Sequence, residues 1–373
     1  MAQAALALDP FPGDRETGFE IGWDFGHHGL TPPVQWLYPG SPLRHGWEAA
    51  RASFGQRTLT PTRVVRKWLQ LRLNAWRRGR AFEGVQVTPH YLRQIDASHC
   101  PVTRVALTHC TGTDSDASID RVRNDAGYAA GNLAVMSAHA NQAKGGSDFD
   151  AALAAMRRAE SAGAAVDGGL DAAAWARVAL LCSFVTPLAH DQAAALPLLV
   201  LPPNRLRLFN PVQALQALVT RQFGREGFAG RLARLEALLP GKPLRRDFQR
   251  FVHAMLPRVL EAGRGLQGPA LAWALEDAWR NPLVLRLWTR LARQLDAGAC
   301  KAVVLRAAAL RLLPGVVQPF DDIGQATEGW ALATGGYASP AQPRDRGPEN
   351  ASPAPARSAQ RPAGRQLALL PAS

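Results

Sequence analysis

This chain of 373 residues is poor in cysteine, in lysine and in long apolar runs, and each shortage excludes something. Its four cysteines (Cys100, Cys110, Cys182 and Cys300) form no CxxC pair. Neither a disulfide framework nor a structural zinc held by paired CxxC motifs is therefore expected, and such sparse thiols suit a reducing cytoplasm. The longest apolar candidate, residues 193–203, is broken by Pro197, Pro202 and Pro203 and falls well short of the roughly 20 residues a membrane helix needs. No basic segment precedes apolar residues at the start, which argues against a secretory leader. Across residues 170–316 no glycine-rich phosphate loop, catalytic constellation or repeat period stands out. The expectation is a cytoplasmic protein without a membrane span.

What the chain does have is arginine. Four of its 43 basic residues are lysine (Lys67, Lys144, Lys242 and Lys301), the rest arginine, and the net charge is +13 at pH 7. That charge points to a polyanionic partner, nucleic acid first and an anionic membrane surface second. The Ala/Arg-rich, Lys-poor style is that of a GC-rich bacterial coding sequence. With 47% hydrophobic residues the chain can bury sizeable cores.

Four regions are expected. Residues 1–55, rich in Gly, Pro, Trp and His, form an irregular cap whose Trp23, Trp36 and Trp47 pack onto the neighbouring region. Residues 56–150 hold a basic helix and a small mixed module. Residues 165–325 are Leu/Ala/Arg-rich with helical periodicity and breaks at PLAHD, LPPNR, PGKP, GRGLQGP and NPLV, giving five or six helices in an all-α domain. Residues 326–373 are a disordered tail, because 337–365 have almost no large apolar residue to bury.

Within the second region, PTRVVRKWLQLRLNAWRRGR (61–80) is the clearest basic helix. Val64, Val65, Trp68, Leu71 or Leu73, and Trp76 recur at helical spacing, and no acid lies in the segment. Arg63, Arg66, Lys67, Arg72, Arg77, Arg78 and Arg80 are then uncompensated charges placed to follow a nucleic-acid backbone. Thr88 caps a short helix, TPHYLRQID, with Pro89 at its first position. CPVTRVALTHC reads as a strand pair. His99-Cys100 and His109-Cys110 are zinc-type donors, but neighbouring residues on a strand face opposite ways. Buried thiols with solvent-facing imidazoles are the expectation there, and no zinc.

The richest stretch is SIDRVRNDAGYAAGNLAVMSAHANQAKGG, from Ser118. SIDRV reads as a strand, NDAGYAAGN as a loop, LAVMS as a second strand or a helix start, and AHANQAK as one or two helical turns. An acid on the strand is thereby brought near an amide on the helix, a donor set that suits a hard oxygen-loving ion.

Residues Cys100 to Asp150 resemble the HNH (ββα-metal) endonucleases, in a variant that reads Asp120-Arg121 where most members read Asp-His. The resemblance implies an α+β fold: a small ββα module, then the helical domain and the disordered tail. It implies Asp120 and Asn141 as ligands of Mg²⁺ or Mn²⁺, Asn132 as loop anchor, and metal-dependent hydrolysis of DNA phosphodiesters. Lys144, one turn after Asn141, is expected to reach a phosphate. Arg121 stands where the family has its general base and stays protonated. His139, His109 or His99 supplies the base from another direction, metal-bound water suffices, or the module binds DNA without cutting; Arg121 itself then clamps a phosphate.

The tail ends RQLALLPAS. Gln366, Leu367, Leu369 and Leu370 resemble the short peptides by which bacterial DNA-processing enzymes dock on the replication sliding clamp, which implies that clamp as a second partner. The whole chain then has three readings: a DNA-binding HNH-like endonuclease, a non-catalytic DNA-binding protein that keeps the fold, or a scaffold centred on the helical domain.

Overall fold

The computed structural model describes residues 14–263, 265–312, 318–320 and 322–337. The terminal peptide expected to dock on a clamp (Gln366, Leu367, Leu369, Leu370) lies outside them, as does the tail from residue 338 on. The described residues are mostly helical, with two small two-stranded sheets.

The N-terminal region is not irregular: α1 (Arg15–His27) and α2 (Pro42–Phe54) form a helical hairpin. Its glycines, which suggest irregularity in sequence, are what permit the pairing. A methyl group at Gly22 would overlap the Leu43 carbonyl, and one at Gly46 the Phe19 carbonyl, so the two backbones cross in direct contact. Asp14 and Ser41 cap the two helices by accepting from Thr17 N and Arg44 N.

Helix α3 (Arg63–Arg77) starts at Thr62, whose side chain accepts from Val65 N, and ends before Gly79 at φ +60°. It is buried on two flanks. Val65, Leu69, Leu73 and Trp76 join Ile21, Phe25 and Leu43 of the hairpin. Leu71 and Ala75 pack instead with Tyr91 and Leu92 of α4 (Pro89–Ile95) and with Leu133 and Val135. Thr88 caps α4 as its sequence suggests.

The segment after α4 forms turns, not a strand pair. Single bridges join His99 to Ala106 and Thr108 to Asp116, and Arg104 and Cys110 adopt left-handed conformations (φ 64° and 58°). Cys100 is buried but Cys110 is exposed, so one thiol of the pair departs from expectation. Strands β1 (Ala117–Arg121) and β2 (Leu133–Ser137) pair antiparallel with Asp120 opposite Ala134. Helix α5 (Ala138–Lys144) comes directly after β2, capped by Ser137, and packs on both strands.

Asp148 caps α6 (Phe149–Ala162), and α7 (Ala172–Ser183) packs along it. Beyond lie α8 (His190–Ala194), β3 (Arg207–Leu208), α9 (Pro211–Phe223), α10 (Phe228–Leu238), α11 (Lys242–Glu261), α12 (Gly268–Ala278), α13 (Pro282–Ala292), α14 (Ala297–Ala309), β4 (Gln318–Pro319) and α15 (Ile323–Ala326). This is more helices than expected, and β3 pairs in parallel with β4. At its centre Phe251, Trp279 and Trp288 touch with ring centroids 5.4–5.6 Å apart. One continuous core runs from Cys100 and Val122 through Trp175 to Trp330, so the expected boundary near 150–165 does not separate two cores. No helix among the described residues is long and apolar enough to cross a membrane.

The expected disordered tail begins too early at residue 326. Trp330 is wholly buried, donating from Nε1 to the Ala130 carbonyl (3.0 Å). Its own carbonyl accepts from Gly127 N (2.7 Å), and Gly336 O accepts from Ala81 N (2.6 Å). Residues 327–337 therefore strap the loop between β1 and β2.

Candidate functional site

Side chains alternate along β1. Ala117 and Ile119 face α3 and α4, whereas Ser118, Asp120 and Val122 face α5 and the main core. The loop to β2 is pinned by Asn132, which is fully buried. Its amide nitrogen donates to the carbonyls of Arg123 (3.0 Å) and Gly127 (3.1 Å), and its oxygen accepts from Arg123 N (2.9 Å). Arg121 braces the same loop, donating to the carbonyls of Asn124 (3.1 Å) and Ala126 (2.8 Å) with its guanidinium 5.2 Å from the Tyr128 ring centroid. Arg121 is thus spent on backbone acceptors and an aromatic face, and the expectation that it clamps a phosphate gives way.

Asp120 and Lys144 form a buried ion pair. Lys144 Nζ lies 3.0 Å from Asp120 Oδ2, with the lysine side chain fully buried and the aspartate 4% exposed. The ammonium donates a hydrogen bond to the Arg121 carbonyl (3.1 Å). Burial pushes the Asp120 carboxyl up from its ordinary value, against the downward pull of Lys144. The expectation that Lys144 reaches a phosphate is corrected here. From the last turn of α5 its stem runs inward beneath β1, and its charge is spent on Asp120.

This arrangement does not fit a divalent ion between Asp120 and Asn141. A +1 ammonium already sits against the carboxylate, and a metal entering there would have to expel it and leave a second cation in the core. Asn141 donates from Nδ2 to Ser118 Oγ (2.7 Å), tying α5 to β1. No group of three or more His, Cys, Asp or Glu side chains suited to a metal occurs among the described residues.

Nor is an imidazole free beside Asp120. His139 meets the Gly168 carbonyl through Nε2 (2.7 Å). His109 Nε2 lies 2.6 Å from Arg63 Nη1, on the α3 face of the β1–β2 pair, opposite the face that Asp120 occupies. His99 packs its ring edge-on against Trp273 of α12 (centroids 5.4 Å).

The basic helix is partly compensated from outside its own segment. Arg63 pairs with Asp96 (2.8 Å), and Arg72 pairs with Glu20 (3.4 Å) and Asp24 of α1 while lying over the Trp68 ring (4.8 Å). Lys67 donates to the Ala117 carbonyl (3.0 Å), and its partial burial lowers its pKa. Arg80 donates to Gly335 O (3.1 Å) and stacks 3.4 Å from the Tyr337 ring, serving the strap. Arg72 and Arg80 are corrections, since tertiary partners absorb both. Arg66, Arg77 and Arg78 are exposed and have no ion-pair partner among the described residues.

Two features escape sequence reasoning. The strap of residues 327–337 had one signal, the isolated Trp330 and Tyr337 in a stretch otherwise small and polar. The second is Asp116, which accepts from Thr111 Oγ1 (2.7 Å) and N, Thr108 Oγ1 (2.8 Å) and Gly112 N (2.7 Å). Those donors, Thr111 foremost, hold its carboxyl well below the usual range. Asp116 thereby fixes the 108–116 loop beside α3. Family models, curated proteins and solved structures were compared with the chain, and none matched.

Proposed function

We propose that this protein binds DNA through an HNH-like ββα unit and the adjoining basic helix α3, without metal-dependent cleavage at Asp120. The single observation that carries the non-cleaving half is the buried Lys144 ammonium 3.0 Å from the Asp120 carboxylate. An internal cation lies against the carboxylate that the HNH resemblance would give to Mg²⁺ or Mn²⁺. It has the opposite consequence: it fixes strand to helix and offers a phosphodiester no open coordination position.

The binding half rests on charge. The whole chain carries +13, and Arg66, Arg77 and the C-cap residue Arg78 present guanidinium groups with no ion-pair partner among the described residues along about 18 Å of α3 and its end, at 1.5 Å per residue. Phosphate contact releases condensed counterions, so affinity falls steeply with salt whatever the sequence bound. Fluorescence anisotropy of a labelled DNA oligomer, titrated in EDTA and again in Mg²⁺ at matched ionic strength, tests the reading. Equal affinities in the two buffers are expected; affinity seen only with Mg²⁺ sinks it.

A further inference from the structure

The α3 face of the β1–β2 pair carries a cavity of about 460 Å³, distinct from the Asp120 side. That volume lies within the ordinary range for small-ligand sites, about 300–1,000 Å³. Its floor is apolar, made by Val64, Leu92, Ala117, Ile119 and Val135. Its mouth is cationic: Arg63, Arg66 and Lys67 line it, with His109 against Arg63. Gln70, also on the lining, supplies an amide with both a donor and an acceptor.

Most of these groups are held in place. Lys67 is anchored on the Ala117 carbonyl, and Arg63 is held between Asp96 and His109. The Asp116 network sets the loop that carries His109 and Cys110 to the rim. Arg66 alone among the cations of the mouth has no ion-pair or hydrogen-bond partner among the described residues. An apolar chamber with planar Arg and His groups at its entrance and a free guanidinium beside it fits a flat heteroaromatic body that carries a nearby anion.

We infer that this cavity receives one unstacked base of a single-stranded DNA segment, with the adjoining phosphate on Arg66. This rests on the DNA-binding reading and deepens it, by making the favoured substrate one whose bases can leave the stack. A base inside a duplex cannot enter without first being unpaired, which costs a few kcal/mol. Single strands avoid that cost, and their bases stack readily on Arg and His planes. A free nucleotide shares the chemistry but lacks the neighbouring phosphates that Arg77 and Arg78 are placed to meet.

The test uses the full chain and three probes: a single-stranded oligomer carrying 2-aminopurine, the same oligomer as a duplex, and dAMP. The parent is expected to bind the single strand at least tenfold more tightly than the duplex, with a rise in 2-aminopurine emission, and dAMP at least a hundredfold more weakly than the strand. Ile119→Trp, which fills the chamber, should cost about tenfold in single-strand affinity and abolish the emission change, while duplex affinity shifts less than twofold. Arg66→Ala should weaken the strand several-fold and leave folding, followed by circular dichroism, unchanged. Single-strand and duplex binding that are equal and indifferent to Ile119→Trp overturn the pocket and leave the DNA-binding reading standing. dAMP bound as tightly as the strand makes this a free-nucleotide site and overturns the single-strand assignment. Binding of no DNA at low salt removes the functional reading, and the pocket assignment with it. Should Ile119→Trp fail to fold, Val64→Trp from the α3 wall gives the same readout.

Discussion

Replacing Lys144 with Met keeps the length of the side chain and removes its charge. In the parent the ammonium is fully buried, 3.0 Å from Asp120 Oδ2, and bonded to the Arg121 carbonyl. The variant strands a carboxylate in the core with no counter-charge, a change that typically costs about 3–5 kcal/mol. For a chain of this size that corresponds to roughly 4–6 °C in melting temperature. The loss has a sign in pH. Burial raises the Asp120 pKa above its unfolded value, and without Lys144 it rises further. The folded variant then holds a proton that the unfolded chain has released, so its stability falls as pH rises from the unfolded value, about 3.9, upward. The variant should therefore lie close to the parent at pH 4 and well below it at pH 7. Adding Asp120→Leu removes the stranded acid and should recover most of the loss, since apolar replacement of a buried pair is often near neutral. Urea unfolding followed by far-ultraviolet circular dichroism at both pH values reads all of this. A single variant within about 1 kcal/mol of the parent at pH 7 refutes the reasoning, because an ammonium that truly neutralised Asp120 could not be removed so cheaply.

Three further outcomes are expected. Glu276 accepts from Leu201 N (2.9 Å) and pairs with Arg104 (3.1 Å), yet burial outweighs both and pushes its carboxyl from 4.5 up to about 7. The folded state then binds a proton that the unfolded state has lost, so stability should decline by roughly 3 kcal/mol as pH rises across that window, and Glu276→Gln should flatten the decline in a pH series of urea melts. Substituting Arg66, Arg77 and Arg78 together with Ala should weaken DNA binding and lower the log–log salt slope by about 2 to 3, whereas Arg72→Ala should leave the slope unchanged and destabilise the α1–α3 contact instead. Trp330→Ala empties a fully buried site and breaks the bond to Ala130, which should cost about 3–5 kcal/mol by urea melt.

Much of the local structure is legible because local rules set it. Thr88 and Asp148 mark helix starts by bonding their own third residue, and the alternation of SIDRV and the turn residues Asn124, Asp125 and Gly127 mark strand and loop. What the sequence hides is direction and distant partnership. Lys144 sits one turn from Asn141 on α5, and spacing alone cannot say that one amide stays near the surface while the ammonium points beneath β1. The absence of acids within residues 61–80 suggests seven free charges, but Asp96, Glu20 and Asp24 arrive from other elements. The glycines of α1 look like breaks until α2 lies against them. The strap is hidden because Trp330 finds its acceptor, Ala130, on a loop 200 residues earlier in the chain.

The central question is whether Asp120 serves catalysis or an internal cation. Supercoiled plasmid incubated with the parent and with an Asp120→Ala, Asn141→Ala double variant, in Mg²⁺ or Mn²⁺, addresses this most directly. The prediction is a gel shift without nicking by the parent, and no gain or loss of nicking in the variant. Nicking by the parent that the double variant loses would contradict it, and would mean that Lys144 leaves Asp120 to admit a metal.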